Sequence, residues 1–263
     1  MIKFCSLYSG SSGNSIFLSS GKTKILIDSG LSGKKIIEAL SSIGENPTEL
    51  SAVLISHEHI DHSRGAGIIS RKFDIPIYAN LNTWNAMEST VGPVCSNNKI
   101  YFNTGSGFEI GNIFVNPFPI PHDAVEPVGF NFFVENKKIT TATDIGHMNR
   151  QLLTYIEGSD VLLLESNHDV EMLKMGKYPW SLKKRIMGDR GHLSNEMAGK
   201  VVAYLAQKGT RRFVLGHLSR ENNFPELAYQ TVKNILKEKS IDIAKDIMLS
   251  VASRGQASEA VVI

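Results

Sequence analysis

The sequence predicts an α+β fold in which two β-sheets pack face to face and helices lie outside them. Three observations support this fold class. Short apolar runs typical of strands dominate the first half of the chain, and helical patterns of apolar residues lie between them. The second half repeats the order of hairpin, strand and helix. No linker rich in Pro, Gly or Ser is long enough to separate independent domains, so we expect residues 1–263 to form a single domain.

The predicted strands of the first half are apolar runs that end at or near Gly, Ser, Asn, Asp or Pro. They are Lys3–Tyr8, Ser15–Leu18, Lys24–Ile27, Ala52–Ile55, Ile75–Tyr78 and Phe114–Phe118. Helical spacing predicts one helix in Lys34–Gly44 and another around Gly65–Phe73.

The second half contains five further predicted strands and two longer helices. The strands are Gly129–Val134, Ile139–Ala142, Val161–Glu165, Arg212–Leu215 and Met248–Val251. The helices are Asn195–Gln207 and Pro225–Glu238. Hairpins at the start of each half, followed by strand–helix units, indicate two sheets packed face to face with helices outside.

Composition and charge restrict the function only loosely. The net charge of +2 is too small to indicate a nucleic-acid-binding protein by itself, and it does not exclude one. The two cysteines, Cys5 and Cys95, form no CxxC pair and are expected to be small apolar residues. The N-terminal residues lack the pattern of a signal peptide, and no apolar stretch approaches ~20 residues. We therefore expect a cytoplasmic protein that does not enter a membrane.

The hexapeptide His57-Glu58-His59-Ile60-Asp61-His62 is the most informative feature of the chain. It has three imidazoles and two carboxylates and follows a predicted buried strand. With eight His in the whole chain, three in six positions by chance is improbable. A loop at that place can direct His57 and His59 to one metal ion, and Asp61 and His62 to a second. Imidazole and carboxylate donors without thiolate suit Zn, Mn or Fe.

Other candidate metal ligands also follow predicted strands. His122, Asp144 and His217 each come directly after an apolar run, so they can converge with the hexapeptide on one sheet edge. Asp28 follows a strand as well, and we expect it to orient a metal ligand rather than to bind the metal. Any one of these residues alone is more often a capped strand end. Together with the hexapeptide they predict a two-metal site.

In this order and spacing, the sequence resembles the metallo-β-lactamase superfamily. The matching elements are Asp28, His57-x-His59-x-Asp61-His62, His122, Asp144 and His217. The resemblance implies a four-layer αββα sandwich with two mixed sheets and two divalent metal ions at its edge. It implies that His57, His59 and His122 bind one ion, that Asp61, His62 and His217 bind the other, and that Asp144 bridges them. A hydroxide held between the metals is then the nucleophile.

A second resemblance concerns the proton donor. Glu165 at the end of a predicted strand, and Gly191-His192-Leu193-Ser194 before a predicted helix, resemble positions of the tRNA 3′-end endonucleases (RNase Z). There a Glu supports a His that protonates the leaving group. Here Leu193-Ser194 replaces Ser-Thr, so the match is partial. The resemblance implies that His192 is the acid and that Glu165 orients it, whereas the structural alternative for His192 is the context of a helix start at Ser194.

The whole layout is most similar to the YycJ (WalJ)-type proteins, compact members of the superfamily. The matching words are spread over most of the chain: Ser9-Gly10-Ser11-Ser12-Gly13-Asn14-Ser15, Ser56–His62, Glu165-Ser166-Asn167-His168-Asp169, His192-Leu193-Ser194-Asn195 and Gly216-His217-Leu218-Ser219. The resemblance implies a nuclease with 5′-to-3′ exonuclease action on DNA.

Several residues are candidates for binding the substrate. Ser12 and Asn14 lie in a Gly/Ser-rich loop that either presents N–H groups to a phosphate or forms a tight turn. His168 either contacts phosphate or hydrogen-bonds a neighbouring loop, and His147 has no assigned role. The segment Glu171–Arg190 has six Lys/Arg against two acidic residues, beside Tyr178 and Trp180, and contributes the candidates Lys183, Lys184 and Arg185. Its structural alternative is a solvated surface excursion.

Three functions are compatible with these residues. The first is a metal-dependent phosphodiesterase acting on DNA. The second is a thioester or lactone hydrolase of the glyoxalase II type, which the Glu165–His192 pair disfavours because a thiolate leaving group needs an acid less than an alkoxide does. The third is a catalytically silent scaffold, which the complete ligand set disfavours because buried polar ligands are costly without a metal.

Overall fold

The computed structural model describes all 263 residues. The chain divides into two compact units. Unit 1 comprises Met1–Pro117, Ala124–Val128 and Ser253–Ile263, and unit 2 comprises Phe118–Asp123 and Gly129–Ala252. No helix is both long enough and apolar enough to cross a bilayer.

Fourteen strands form the sheets. In chain order they are β1 (Ile2–Tyr8), β2 (Ser15–Ser20), β3 (Thr23–Ile27), β4 (Ala52–Leu54), β5 (Ile77–Asn80), β6 (Lys99–Phe102), β7 (Phe108–Ile110), β8 (Ile113–Pro119), β9 (Val128–Val134), β10 (Lys137–Ala142), β11 (Val161–Glu165), β12 (Arg212–Gly216), β13 (Met248–Val251) and β14 (Val261–Val262).

Nine α-helices accompany them. They are α1 (Gly33–Ser42), α2 (Ile60–Ser63), α3 (Ala66–Phe73), α4 (Leu81–Val91), α5 (Arg150–Ile156), α6 (Val170–Met175), α7 (Trp180–Ile186), α8 (Asn195–Gln207) and α9 (Pro225–Glu238). Side chains cap several of the starts, because a polar oxygen accepts the otherwise unpaired N–H of the first turn. Asn80 caps α4, Asp169 caps α6 and Ser194 caps α8.

The first sheet has the strand order β14-β1-β2-β3-β4-β5-β6. Strands β1 to β3 form an antiparallel meander, and β3 to β6 run parallel. Ile27 of β3 pairs with Leu54 of β4, so both strands end at the same level. The residues that follow them, Asp28 and the segment beginning at Ser56, therefore leave the sheet at one edge.

The second sheet has the order β13-β12-β11-β10-β9-β8-β7. Strands β10 to β13 run parallel, and β10 pairs antiparallel with β9. Leu164 pairs with both Ala142 and Leu215, and Glu165 pairs with Gly216. This register brings the ends of three parallel strands together, and the next residues along the chain include Asp144 and His217.

Each unit has its own apolar core. In unit 1, side chains of the sheet such as Phe17 and Val53 pack with Leu40 of α1 and Trp84 of α4. In unit 2, the core joins residues of β11 and β12 to the apolar sides of α8 and α9: Leu162, Leu164, Phe213, Leu215, Val202, Leu205, Val232 and Leu236. Burial of a large apolar side chain stabilises the fold by roughly 1.5–3 kcal/mol, which fixes the strand ends in place.

The α+β class and the two mixed sheets are confirmed. Bounds predicted from the sequence match for β11, β13, α8 and α9, and most of the other predicted strands start or end within two residues. The sequence interpretation missed α4, because its apolar positions are few. A signal was available in Trp84, Met87 and Val91, which recur at helical spacing before Gly92 and are buried.

Candidate metal centre

The hexapeptide lies where β4 ends and α2 begins, in unit 1. His57 is buried, and its Nε2 lies 3.1 Å from Nδ1 of His59. The other ring nitrogen of His57, Nδ1, lies 3.0 Å from the Ser56 hydroxyl. Because one nitrogen of His57 is engaged by Ser56, the other remains directed at His59. Two imidazole nitrogens that face each other in this way suit ligands of a shared cation.

His62 is oriented by Asp28. Its Nδ1 lies 2.7 Å from Oδ2 of Asp28, and the same carboxylate accepts hydrogen bonds from the backbone N–H and the hydroxyl of Ser56. All three residues are buried. An imidazole whose Nδ1–H donates to a carboxylate keeps Nε2 as the unprotonated nitrogen, which is the form that binds a metal. Oδ2 of Asp61 lies 3.7 Å from this Nε2.

The Gly/Ser-rich loop after β1 packs against the hexapeptide. Asn14 accepts a hydrogen bond from Gly10 N–H, and its side-chain nitrogen lies 3.0 Å from Nε2 of His62. Its backbone N–H donates to the carbonyl of Asp61. Gly30 approaches the same carbonyl so closely that a Cβ would lie 1.7 Å from it, so only glycine fits there.

The two substrate-binding candidates of this loop differ in exposure. Asn14 is buried and hydrogen-bonds the loop and the hexapeptide. Ser12 is exposed in the turn between Gly10 and Gly13, which closes through a hydrogen bond from Gly13 N–H to the Gly10 carbonyl. Substrate binding by either residue stays a prediction.

Unit 2 contains the remaining candidate ligands. Nδ1 of His122 donates to the Gly191 carbonyl at 3.1 Å. Its Nε2 lies 3.7 Å from Oδ1 of Asp144, and that oxygen lies 3.5 Å from Nδ1 of His217. Burial lowers the pKa of His122, against the attraction of Asp144, so the imidazole is neutral at pH 7, as a metal ligand must be.

Glu165 connects two of these histidines. It is completely buried, and its Oε1 accepts from Nδ1 of His192 at 2.8 Å and from Nδ1 of His217 at 2.7 Å. Its Oε2 accepts from the backbone N–H of Ile145 at 2.7 Å and of Leu193 at 3.0 Å. The ligand atoms of Asp144, Glu165, His192 and His217 all lie within 4.8 Å of one another.

The protonation states follow from this arrangement. Burial alone would raise the pKa of Glu165, but the His192 imidazolium and the hydrogen bonds from both rings outweigh it and hold the pKa well below its usual range. Burial alone would lower the pKa of His192, but the charge and hydrogen bond of Glu165 raise it. Glu165 is therefore a carboxylate that keeps His192 protonated closer to neutral pH.

A group of buried amides supports the same region. The Asn167 side chain donates to the His217 carbonyl at 2.9 Å, and the Asn223 side chain donates to the carbonyls of Ser166 and Asn167 at 2.9 and 3.0 Å. Asn195 bonds both Asn223 and the Ser166 hydroxyl. The sequence alone indicates no role for these residues, although Asn167 and Asn195 lie in segments that resemble the YycJ (WalJ)-type proteins.

Three of the predicted strand-end residues have left-handed backbone conformations. Asp28, Asp144 and His217 have φ angles of 57°, 62° and 55°. Non-glycine residues in this region carry a cost of about 1–2 kcal/mol each, so they occur where the surrounding structure determines them. Asp28 and His217 directly follow β3 and β12, and Asp144 lies two residues after β10.

His168 and His147 differ in their surroundings. His168 is buried, its Nδ1 makes no hydrogen bond, and its carbonyl accepts from Asn195 N–H. Burial lowers the pKa of His168 to about 4, so it is neutral. His147 lies in a partly exposed loop, where its Nδ1 donates to the Asp189 carbonyl at 2.9 Å.

The basic segment Glu171–Arg190 contains most of α6 and all of α7. Lys184 and Arg185 are exposed. Lys183, the third candidate cation, is 8% exposed, and its ammonium donates to the Lys174 carbonyl at 2.7 Å, which connects α7 to α6. Contact of these cations with substrate stays a prediction.

The donors of both units fit divalent metal ions. They are imidazole nitrogens and carboxylate oxygens, and neither cysteine contributes: Cys5 is buried with its thiol 3.2 Å from the Ser258 carbonyl, and Cys95 is exposed. Each imidazole of His57, His62, His122 and His217 has its Nδ1 engaged by a neighbouring group, so Nε2 is the ring nitrogen that each can offer to a metal ion. This donor set suits Zn, Mn or Fe.

Comparison with known proteins extends this picture. A family model described as "Beta-lactamase superfamily domain" matches residues 23–218. The chain is 42% identical over 245 residues to the exodeoxyribonuclease YycJ of Bacillus anthracis, a match that covers 93% of this chain and 92% of that protein. It is 42% identical over 246 residues to the exodeoxyribonuclease WalJ of Streptococcus pneumoniae, with 93% and 91% covered.

Solved structures show the same fold. The Zn-bound PqqB structure from Methylobacterium extorquens aligns with a TM-score of 0.73 at 16% identity and covers 98% of this chain and all of that one. At that identity the likeness concerns the fold alone.

Proposed function

The chain belongs to the beta-lactamase superfamily, and from that membership we propose that it is a two-metal exodeoxyribonuclease acting on DNA from the 5′ end. The family and the 42% identity over nearly the whole chain support a metal-dependent hydrolase of the nuclease type. Cleavage of a phosphodiester is supported by the hydrogen-bonded pair of Glu165 and His192, which lies among candidate metal ligands.

We propose that seven side chains hold the metals. His57, His59 and His122 bind one ion, Asp61, His62 and His217 bind the other, and Asp144 bridges, as the family resemblance implies. When bound, two divalent ions activate a water as nucleophile at neutral pH and offset the negative charge that develops on the phosphate. Supporting residues fix the ring orientations: Asp28 and Ser56 in unit 1, and Glu165 and Gly191 in unit 2.

His192 supplies the proton in this proposal. Its Nδ1 is engaged by Glu165, so the proton that it transfers is the one on Nε2. The side chain is 20% exposed, whereas Glu165 is completely buried, so His192 is the member of the pair that a substrate can reach. An alkoxide leaving group must take up a proton as the P–O bond breaks, and an imidazolium held by a carboxylate can provide it.

A direct assay tests the proposal. Metal-free protein is reconstituted with Zn, Mn or Fe, metal content is measured by elemental analysis, and activity is measured on single- and double-stranded DNA labelled at either end. RNA and a thioester serve as controls. We expect two ions per chain, short products released from 5′-labelled DNA, and stepwise shortening of 3′-labelled DNA.

Each part of the proposal has its own contrary outcome. One ion or none contradicts the two-metal arrangement. Short products released from 3′-labelled DNA would show the opposite polarity. Internal fragments would show endonuclease rather than exonuclease action. Faster turnover of the thioester than of any nucleic acid would favour the glyoxalase II type of hydrolase, which needs the Glu165–His192 pair less.

A further inference from the structure

Helix α7 is hydrogen-bonded to the candidate proton donor His192 and to Asp123, the residue after the candidate ligand His122. At its C-terminal end, the carbonyl of Ile186 accepts a hydrogen bond from the backbone N–H of His192 at 2.9 Å. On its side, the Arg185 guanidinium forms an ion pair with Asp123, which directly follows the candidate ligand His122. Both contacts lie within unit 2.

The exposed residues of α7 include an indole and two cations. Trp180 is 60% exposed, which is unusual for a large aromatic residue of a soluble protein. Lys184 lies one turn further along, with its ammonium 5.7 Å from the Trp180 ring centroid. The Arg185 side chain is 58% exposed, and Asp123 bonds only its Nε. The helix contains no acidic residue.

We propose that α7 binds an unpaired segment of the DNA strand that is cut, with Trp180 stacked on a base and with Lys184 and Arg185 bound to phosphates. This inference rests on the proposed nuclease function and adds a binding surface to it. An exposed aromatic ring beside cations is the usual combination in proteins that bind single strands, because every base has a face to stack and every nucleotide has a phosphate.

The exposed indole of Trp180 favours an unpaired strand over duplex DNA. The flat face of an indole cannot reach between paired bases without unstacking them, whereas an unpaired base can stack on it directly.

The chain offers a matched control for the aromatic–lysine pair. Directly after α8, Lys208 lies with its ammonium 5.8 Å from the ring centroid of Tyr204, a residue of the helix that is 38% exposed. This pair has the same spacing along a helix and the same combination of residue types. It lies more than two turns of α8 away from Ser194, which follows Leu193 and His192. A general effect of removing a surface aromatic residue or a lysine would appear equally in both pairs.

The experiment measures the binding of DNA to the full-length protein without metal, so that the DNA is not cut. Fluorescence reports it directly, because the chain has only two tryptophans and Trp84 is buried. We expect oligothymidylate to quench the emission of Trp180. Trp180→Ala should weaken binding of the oligonucleotide roughly 10- to 100-fold, with a smaller loss for Trp180→Phe. Tyr204→Ala and Lys208→Ala should bind as the unchanged protein does.

Salt dependence tests the cations separately. Removal of both Lys184 and Arg185 should reduce the slope of log affinity against log salt concentration by about 1.4, which is ~0.7 for each phosphate contact with a single strand. A blunt duplex should lose less affinity than the oligothymidylate in every α7 variant. Thermal unfolding of each variant shows whether the fold is retained.

Two failures are distinguishable. If the unchanged protein cuts DNA but Trp180→Ala binds the oligonucleotide as tightly as the Tyr204→Ala control, α7 is not the binding surface and the nuclease proposal stands. If the unchanged protein neither binds nor cuts any DNA, both proposals are overturned. An unchanged salt slope in the Lys184 and Arg185 double variant likewise removes these cations from the binding surface.

Discussion

Replacing Glu165 with glutamine tests whether one buried carboxylate serves both the proton donor and a metal ligand. In the structure its two oxygens accept four hydrogen bonds, two from imidazoles and two from backbone N–H groups. Glutamine keeps one carbonyl oxygen and replaces the other by an NH2 group, which is itself a donor. Two of the four donors therefore lose their acceptor in Glu165→Gln, whichever way the amide is turned.

The structure gives the size of the expected effect. Loss of the acceptor for a buried donor costs about 1–3 kcal/mol, so the free energy of unfolding should fall by roughly 2–6 kcal/mol. If the two imidazoles are the donors that lose their acceptor, the ion bound by His217 should be held roughly 10–100-fold more weakly, which is the usual effect of removing a group that orients a metal ligand. Turnover at saturating metal should also fall by up to about 10²–10⁴, because His192 loses its orientation and charge partner.

This expectation differs from the one that the sequence supports. With Glu165 as a partner of His192 alone, Glu165→Gln should reduce activity less than His192→Ala. Because Glu165 also contacts His217, we now expect Glu165→Gln to impair metal binding, which His192→Ala should leave intact.

The assay separates the two effects. Metal affinity is measured by competition with a chromogenic chelator at low temperature, where circular dichroism confirms that the variant is folded, and turnover is then measured at saturating metal. Glu171→Gln, at an acid whose side chain is 75% exposed, is the matched control. Unchanged metal affinity in folded Glu165→Gln, together with reduced turnover, would refute the shared role.

Glu165→Gln should also change the titration of His192. In the metal-free variant, the pKa of His192 measured by NMR should fall, because the negative charge of Glu165 that raises it is gone.

The remaining predictions concern neighbouring residues. His192→Ala should keep both metals and lose roughly 10²–10⁴-fold in DNA cleavage, but much less on a nitrophenyl phosphodiester, whose leaving group needs no proton; equal losses on both substrates would show that His192 is not the acid. Asp144→Ala should lose at least one metal equivalent in elemental analysis, and an unchanged metal content would exclude it as the bridge. Asn167→Ala should weaken the binding of one of two ions roughly 10-fold, because the His217 carbonyl loses its donor; two ions bound with unchanged affinity would limit Asn167 to a structural role.

The family and the positions of the candidate ligands could be predicted from the sequence because they depend on local order along the chain. Each donor follows an apolar run, and parallel strands in register bring such positions to one edge. The resemblance to YycJ (WalJ)-type proteins is confirmed by the matches over more than nine-tenths of the chain. The assignment of individual metal ligands stays a prediction.

What the sequence did not reveal depends on distant contacts. Glu165 lies 52 positions from His217, and no periodic pattern indicates that one oxygen would contact both His192 and His217. Lys183 lies in a run of three cations that looks uniformly solvated, but a short helix turns it inward while Lys184 faces outward. Tertiary packing decides which side chains meet beyond the ends of the strands. It also decides which residues of the seven-residue helix α7 face the protein interior.

The left-handed conformations of Asp28, Asp144 and His217 also bear on how this fold can change. At each of these positions glycine would relax the backbone, because it adopts φ near +60° without steric cost. Selection for thermal stability therefore acts in two opposite directions, because loss of Asp28 or His217 also leaves buried partners such as Ser56 and Glu165 without their hydrogen bonds. A library of variants screened only for resistance to heat would show at which of the three positions the backbone cost outweighs these contacts, whereas a screen that also requires metal should retain all three side chains. Comparing the two libraries would show which of the three residues is kept for metal binding and which for folding.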